Sequence, residues 1–281
     1  MRGRGEKGKL LFTSPAFIKS REIMETFCFK PIGYVSCDAF YPQETPRQGS
    51  MSRRSAVIKL NSRENFEAAL QDLDGVSHVW IVWVFDRVKN WKPLVQPPTS
   101  ERKVGVFATR SPHRPNPIGI TAAKLIKIDG LKLYVENIDL LDGTPILDIK
   151  PYIAQADIFE DSFVAWQLET PFEIRSFSVS ETAAEKGGFI RENAGFDLLE
   201  TARVQLATRE LDPGRQRLQI SSDGKNCLLA FRTWRVFFDL AENSVFVTDI
   251  QSGYQPQELE PDAIDKYGDL ELHRKFKAEF C

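Results

Sequence analysis

Residues 107–121 read FATRSPHRPNPIGIT, with prolines at 112, 115 and 117. Proline fixes φ and removes a backbone donor. The segment is thereby excluded from helices and central strands, and it predicts a loop held stiff by its own covalent geometry. Arg110, His113 and Arg114 sit on that loop with Asn116 beside them. Cations on a rigid loop predict a preorganised site for an anion or a polar ligand, because little loop entropy is left to lose on binding. A solvated turn is the plainer reading, but a turn needs Gly or Asn and not three prolines.

The sequence around this loop is punctuated like an all-β domain. Apolar or β-branched runs fall at 32–36, 56–60, 79–85, 104–109, 120–128, 133–141 and 146–153, most of them separated by Gly, Pro, Asn or Asp. One helix interrupts them: Asn61 can cap, Glu64 follows three residues on, and Phe66, Ala69, Leu70 and Leu73 share a face. Seven short strands with one helix predict a closed barrel or a sandwich, and the barrel is preferred because a small single sheet cannot cover its own edges.

Beyond this region the character changes. Residues 154–174 are irregular and acidic, and predict a linker or drape. Residues 180–191 and 196–211 carry helical patterns, weakened by Gly187 and Gly188; 212–215 (DPGR) is a turn. Residues 227–240 and 245–250 predict a hairpin about Glu242 and Asn243, and the tail from Glu258 a charged surface segment with modest helix. The expected organisation is an extension over 1–26, a small β-barrel over 27–155, a linker over 156–174 and a smaller α+β domain over 175–281. The fold class is therefore mainly β. Residues 1–23 are basic and aperiodic; with Glu6 and Glu22 against a transit peptide and Met24 close behind, they predict a disordered extension or an upstream start.

Composition narrows the function. The formal net charge of −2 leaves any nucleic-acid partner to a local patch rather than a bulk field. Four dispersed cysteines and three dispersed histidines offer neither a disulfide framework nor a zinc site, so no metal is expected, and a reducing cytoplasm is the natural compartment. The longest apolar run, 79–85, is strand-length, so no membrane span is predicted.

Two further segments carry chemistry. In LLDGTPILDIKPY (140–152), Asp142-Gly143 is a hairpin signal. After it, Ile146, Asp148 and Lys150 alternate with Leu147, Ile149 and Pro151, an arrangement that most simply makes a solvated ion pair on one strand face. In TPRQGSMSRRSAVIKL (45–60), Arg47, Arg53 and Arg54 could join Arg102, Lys103, Arg110 and Arg114 in a patch matched to phosphates. Phosphate-binding glycine loops, a nucleophile elbow and a His-Glu-x-x-His zinc motif are missing. A reaction that needs no protein nucleophile suits this inventory.

PRQ (46–48), SHVWIVWVFDR (77–87), GVFATRSPHRPNPIGIT (105–121) and DLLDGTPILDIKPY (139–152), in that order, closely resemble the TrmO (TsaA-like) family. The resemblance spans 29–152. More loosely, DPGRQ and AFRTWRVFF (230–238) look like the extra domain of bacterial members. It implies a β-barrel methyltransferase that uses S-adenosyl-L-methionine on N6 of threonylcarbamoyladenosine beside the tRNA anticodon, and that forms homodimers. The cofactor site carries over onto Pro46, Arg47, Gln48, Asp86, Arg87, Arg110, Ile120, Asp139, Leu140, Leu141 and Asp142. Asp142 and Tyr152 are the candidates to take a proton. Arg53, Arg54, Arg114, Asn116 and Lys150 are expected to face the tRNA anticodon loop. The competing expectation is a non-catalytic barrel that senses the cofactor or binds RNA.

Overall fold

In the computed structural model, residues 26–62, 64–97, 100, 102–169, 174–211 and 217–280 are described. The predicted extension over 1–23 and the DPGR turn lie outside them. Elements follow in chain order as β1 (Gly33–Ser36), β2 (Ser55–Leu60), α1 (Phe66–Ala69), β3 (His78–Val84), β4 (Leu94–Val95), β5 (Val104–Gly105), β6 (Ile118–Asp129), β7 (Lys132–Glu136) and β8 (Pro145–Pro151). Then come α2 (Ala154–Asp157), α3 (Ala165–Glu169), β9 (Ser176–Val179), α4 (Glu181–Ala194), α5 (Leu198–Leu206), β10 (Leu218–Gln219), β11 (Cys227–Phe231), β12 (Trp234–Ala241), β13 (Ser244–Ser252) and α6 (Leu270–Phe280).

The barrel closes in the order β1-β2-β7-β6-β3-β8. Strand alternation fills it: Val79, Ile81 and Trp83 of β3 point inward with Ile58, Ala123, Leu133, Val135 and Ile146. Closure removes both edges, the feature that favoured a barrel in the first place.

Several local expectations are corrected. The 104–109 run forms only the two-residue β5, paired with β4 outside the barrel, because the chain then tightens into a 3-10 turn at Val106–Ala108. β7 stops at Glu136, and Asp142-Gly143 does not close a hairpin back onto it; β8 pairs instead with β1 and β3. A register shift opposite Val82 and Trp83 inserts Leu147, so Ile146 and Ile149 both reach the core instead of alternating. The expected helix from Asn61 shrinks to the single turn α1, because the Asn61 side chain donates to the Pro31 carbonyl at 2.8 Å instead of capping.

The C-terminal sheet runs β10-β11-β12-β13-β9, with β9 parallel to β13. Its core joins Leu229, Trp234, Val236, Val245 and Val247 to Ala183 and Ile190 of α4, Leu198 and Ala202 of α5, and Phe276 of α6. Ser180 caps α4 through the Ala183 N–H at 3.1 Å. Gly187 is the contact point of two helices, since a Cβ there would lie 2.4 Å from Leu199. The expected strand 227–240 is two strands, broken where Arg232 takes a left-handed φ of 50°. The tail is not merely surface either: Leu270, His273 and Phe276 are buried, and the His273 ring stacks on Trp234 at 3.9 Å.

Candidate active site

The proline loop is pinned from both sides. Lys92 donates its N–H to the His113 carbonyl at 3.0 Å, and His113 Nδ1 donates to the Asn90 carbonyl at 3.1 Å. Within the loop, Arg114 Nη1 donates to the carbonyls of Thr109 (2.6 Å) and Val106 (3.1 Å). These bonds fold the segment back on itself and leave Arg110 exposed at its tip, where Nη1 meets Gln48 Oε1 at 2.5 Å.

Between this loop and the open end of the barrel lies a cleft of about 320 Å³. Thr45, Pro46 and Arg47 form one wall, Thr109, Arg110 and Arg114 the other, and Trp83, Phe85, Gly119, Ile120 and Asp139 line it further in. The size is within the range of small-molecule sites, which begins near 300 Å³. Gly119 is required by the floor: a Cβ there would sit 2.4 Å from the Trp83 ring. A hydrogen-bond chain runs beneath it, from Trp83 Nε1 to Thr121 Oγ1 at 3.0 Å and from that hydroxyl to Asp139 Oδ1 at 2.6 Å.

Burial holds the Asp139 carboxyl above the usual carboxylate range, against the opposing pull of the Thr121 hydroxyl and the more distant Arg110 charge. Folded protein therefore binds this proton more tightly than unfolded chain. No stability is lost below the unfolded pKa of about 3.9; the loss develops as pH rises from there through the folded value and is complete above it. Asp139→Asn should thus melt no lower than the parent at pH 7, with any advantage shrinking at pH 4. A lower melting temperature at pH 7 would show that the carboxylate is a net stabiliser.

The structure sorts the expected residues into groups. Pro46, Arg47, Arg110, Ile120 and Asp139 line one cleft, with Gln48 joined through Arg110 and Arg114 on the rim. Asp86 is exposed at the end of β3. Arg87 bonds the carbonyls of Phe40 (2.6 Å) and Asp142 (2.9 Å), so it fastens two loops together. Asp142 works in the same turn, accepting the Cys37 N–H at 3.0 Å. The Leu140 side chain belongs to the barrel core, and half-buried Leu141 gives its carbonyl to Thr144.

Tyr152 is corrected. It packs on Trp80 at 5.2 Å outside the barrel and gives its N–H to His78, five positions from Trp83 along β3 or about 16 Å at ~3.3 Å per residue. Arg54 is corrected too. It is 4 % exposed and locked between Asp38 and Thr201, so it meets the C-terminal domain and no external phosphate. Lys150 pairs with Asp148 at 2.6 Å on a solvated strand face. Arg53 and Asn116 remain exposed.

Trp83, Phe85, Thr45, Thr109 and Gly119 belong to the cleft and were not singled out from sequence. Strand parity was the available signal for Trp83, which shares the inward face of Val79 and Ile81. Among the described residues no group of His, Cys, Asp and Glu could hold a metal, and no helix is long and apolar enough to cross a membrane.

Comparison with known proteins bears on the chain's family. Residues 36–158 match the model of the tRNA-methyltransferase O N-terminal domain. A mouse tRNA (adenine(37)-N6)-methyltransferase is 48 % identical over 46 % of this chain, which spans only 31 % of that relative's length. An Escherichia coli protein of the same name is 34 % identical, over 53 % of this chain and 67 % of its own. A probable S-adenosyl-L-methionine-binding protein of Pyrococcus abyssi is 38 % identical over 60 % of this chain and 88 % of its own. A crystal structure of TrmO from Pseudomonas aeruginosa superposes with a TM-score of 0.59 at 28 % identity, covering 81 % of this chain and 99 % of that one. Such extended identity, with a fold shared over 81 % of the chain, reflects common ancestry and not independent arrival at a barrel: the chain belongs to the TrmO family.

Proposed function

We propose that this chain transfers a methyl group from S-adenosyl-L-methionine to N6 of the threonylcarbamoyl-modified adenine beside the tRNA anticodon. The observation that carries the reading is the cleft itself, where a cation on a stiff loop faces the half-buried Asp139 carboxyl across aromatic walls. That donor set fits a zwitterionic nucleoside. Arg110 would take its carboxylate, Asp139 its ammonium or a ribose hydroxyl, and Trp83, Phe85 and Ile120 its apolar surface. The bound cofactor supplies an electrophilic methyl group that already carries its leaving group. The residues of this chain hold and orient, and orientation alone supplies about 7–11 kcal/mol in favourable cases. The target N–H lies next to a carbamoyl carbonyl and is more acidic than a plain amine, so a strong protein base is not required. Asp142 stays the candidate for a proton acceptor.

Support for the tRNA comes from the relatives' names and from the exposed cations Arg53, Lys103 and Arg110. Salt should weaken the complex with a slope near −0.7 per phosphate contact, as for a single-stranded loop. Exposed Trp91, Leu94, Phe107, Phe163 and Leu168, beside the Trp166–Ala108 bond, suit a homodimer face, and sedimentation should show two copies. A cytoplasmic location would follow from the substrate.

Arg110→Ala should weaken S-adenosylmethionine binding about 10- to 100-fold, the size of a lost charge-assisted bond of ~1.5–3 kcal/mol. The melting temperature should not change, since Arg110 is exposed. Calorimetry on folded mutant showing unchanged affinity would remove Arg110 from the site.

Substrate choice tests the reading as a whole. Mass spectrometry of the anticodon-loop fragment should find methyl transfer to threonylcarbamoylated tRNA at least about 100-fold faster than to unmodified transcript, because plain adenosine leaves the site's polar groups unpaired. Equal transfer to both would refute recognition of the threonyl carboxylate. Cofactor binding with no transfer to either would favour the non-catalytic sensor.

A further inference from the structure

The loop between β1 and β2 carries Thr45, Pro46 and Arg47 of the cleft wall, and Gln48, the partner of Arg110. Two short 3-10 turns are its only regular structure, yet the C-terminal domain grips it along its length. Asp38 Oδ2 accepts the Asp197 N–H at 3.0 Å, and Arg232 reaches Glu44 Oε1 at 2.7 Å. Arg203 donates to the Met51 carbonyl at 2.5 Å, and Glu200 accepts the Arg53 N–H at 2.8 Å.

Arg209 differs from these grips in what it holds. Its Nη2 donates to the Pro42 carbonyl at 3.3 Å and to the carbonyl of Thr45, a residue of the cleft wall itself. Thr45 is buried, so its carbonyl needs a partner, and the next residue, Pro46, has no N–H with which to reorganise the turn. Arg209 is braced in turn: Arg175 Nη1 donates to its carbonyl at 3.1 Å. The main chain that carries Arg209 is thus tied within the C-terminal domain, and its guanidinium is aimed at the backbone of the cleft.

We infer that Arg209 is a positioning residue of the cleft, through which the C-terminal domain sets the affinity for S-adenosylmethionine. The inference rests on reading the cleft as the cofactor site. Without Arg209 the Thr45 carbonyl is buried and unpaired, the wall relaxes, and binding must reorder it. A guanidinium that served only to join the domains would leave affinity untouched.

Full-length Arg209→Ala and Arg209→Lys, compared with the parent, separate the two. Calorimetry should find the alanine variant's Kd for S-adenosylmethionine raised at least tenfold, with KM for the cofactor rising in step and kcat at saturation within threefold of the parent. Lysine, which still offers a donor to the Thr45 carbonyl, should recover most of that affinity. In ligand-free protein, amide exchange over Thr45–Gln48 should quicken in the alanine variant and not in the lysine variant. A lowered melting temperature with unchanged Kd and KM would overturn the inference and leave Arg209 as a domain tie. Should alanine not fold, Arg209→Met, which keeps much of the side chain's bulk but has no donor for the Thr45 carbonyl, decides: a Kd raised at least threefold supports positioning, and a smaller change overturns it. Failure of the parent itself to bind cofactor would overturn the reading of the cleft, an outcome seen without any variant.

Discussion

Alanine at Arg54 is expected to lower the free energy of unfolding by about 3–5 kcal/mol, the usual consequence of stranding one member of a buried ion pair. Arg54 Nη1 lies 2.5 Å from Asp38, and Nη2 lies 2.5 Å from the Thr201 hydroxyl on α5. The same Asp38 carboxylate accepts the Asp197 N–H, so its loss of a counter-charge would be felt in both domains. Arg54 Nε has no partner, so the pair already carries an uncompensated desolvation cost. Replacing both members, as Arg54→Met with Asp38→Leu, should therefore recover much of the loss. Urea unfolding of the single and double variants measures this. A single-variant change below about 1 kcal/mol would show the pair to be no stronger than a surface bridge.

On the proposed function, valine at Gly119 should all but abolish methyl transfer, by at least about 100-fold in kcat/KM, because misplacement by about 1 Å can cost that much. The new Cβ would meet Trp83 at 2.4 Å, within the strand pair that forms the cleft floor. The ring cannot yield without breaking its bond to Thr121, which in turn carries Asp139. Overpacking of this kind adds about 1–3 kcal/mol of destabilisation. Pairing Gly119→Val with Trp83→Leu should return stability without returning cofactor affinity, since the indole face of the wall and its bond to Thr121 are then gone. Full activity in Gly119→Val would mean that the floor is softer than its contacts indicate.

The parts of this protein that could be read from sequence are those governed by local covalent geometry or by strict alternation. Three prolines make 107–121 a stiff loop whatever surrounds it, and the structure presents Arg110 from its tip. Alternation marked six of the seven predicted barrel strands; the exception, 104–109, is a loop-edge pair. Motif order alone identified the family, and with it Pro46, Arg47, Ile120 and Asp139, which share one cleft.

Other features depend on pairings that a linear pattern does not contain. Arg53 and Arg54 are neighbours of the same type, yet Arg53 faces solvent and Arg54 is buried, because successive residues point to opposite sides and a second domain covers one of them. Its partner Thr201 is 147 positions away. Tyr152 sits in the same motif as Asp139 but leaves the barrel at the other end of β3, since a strand that crosses the barrel carries its two ends apart. The inserted Leu147 changes which side chains of β8 face the core, and a bulge is visible only against the strand that opposes it. Sequence by itself determined the barrel, the rigid cation loop and the family, because proline geometry, strand parity and motif order are properties of the chain alone. Tertiary structure alone decided which charges are buried and that the C-terminal domain holds the cleft wall, because burial and long-range hydrogen bonds exist only once distant segments meet.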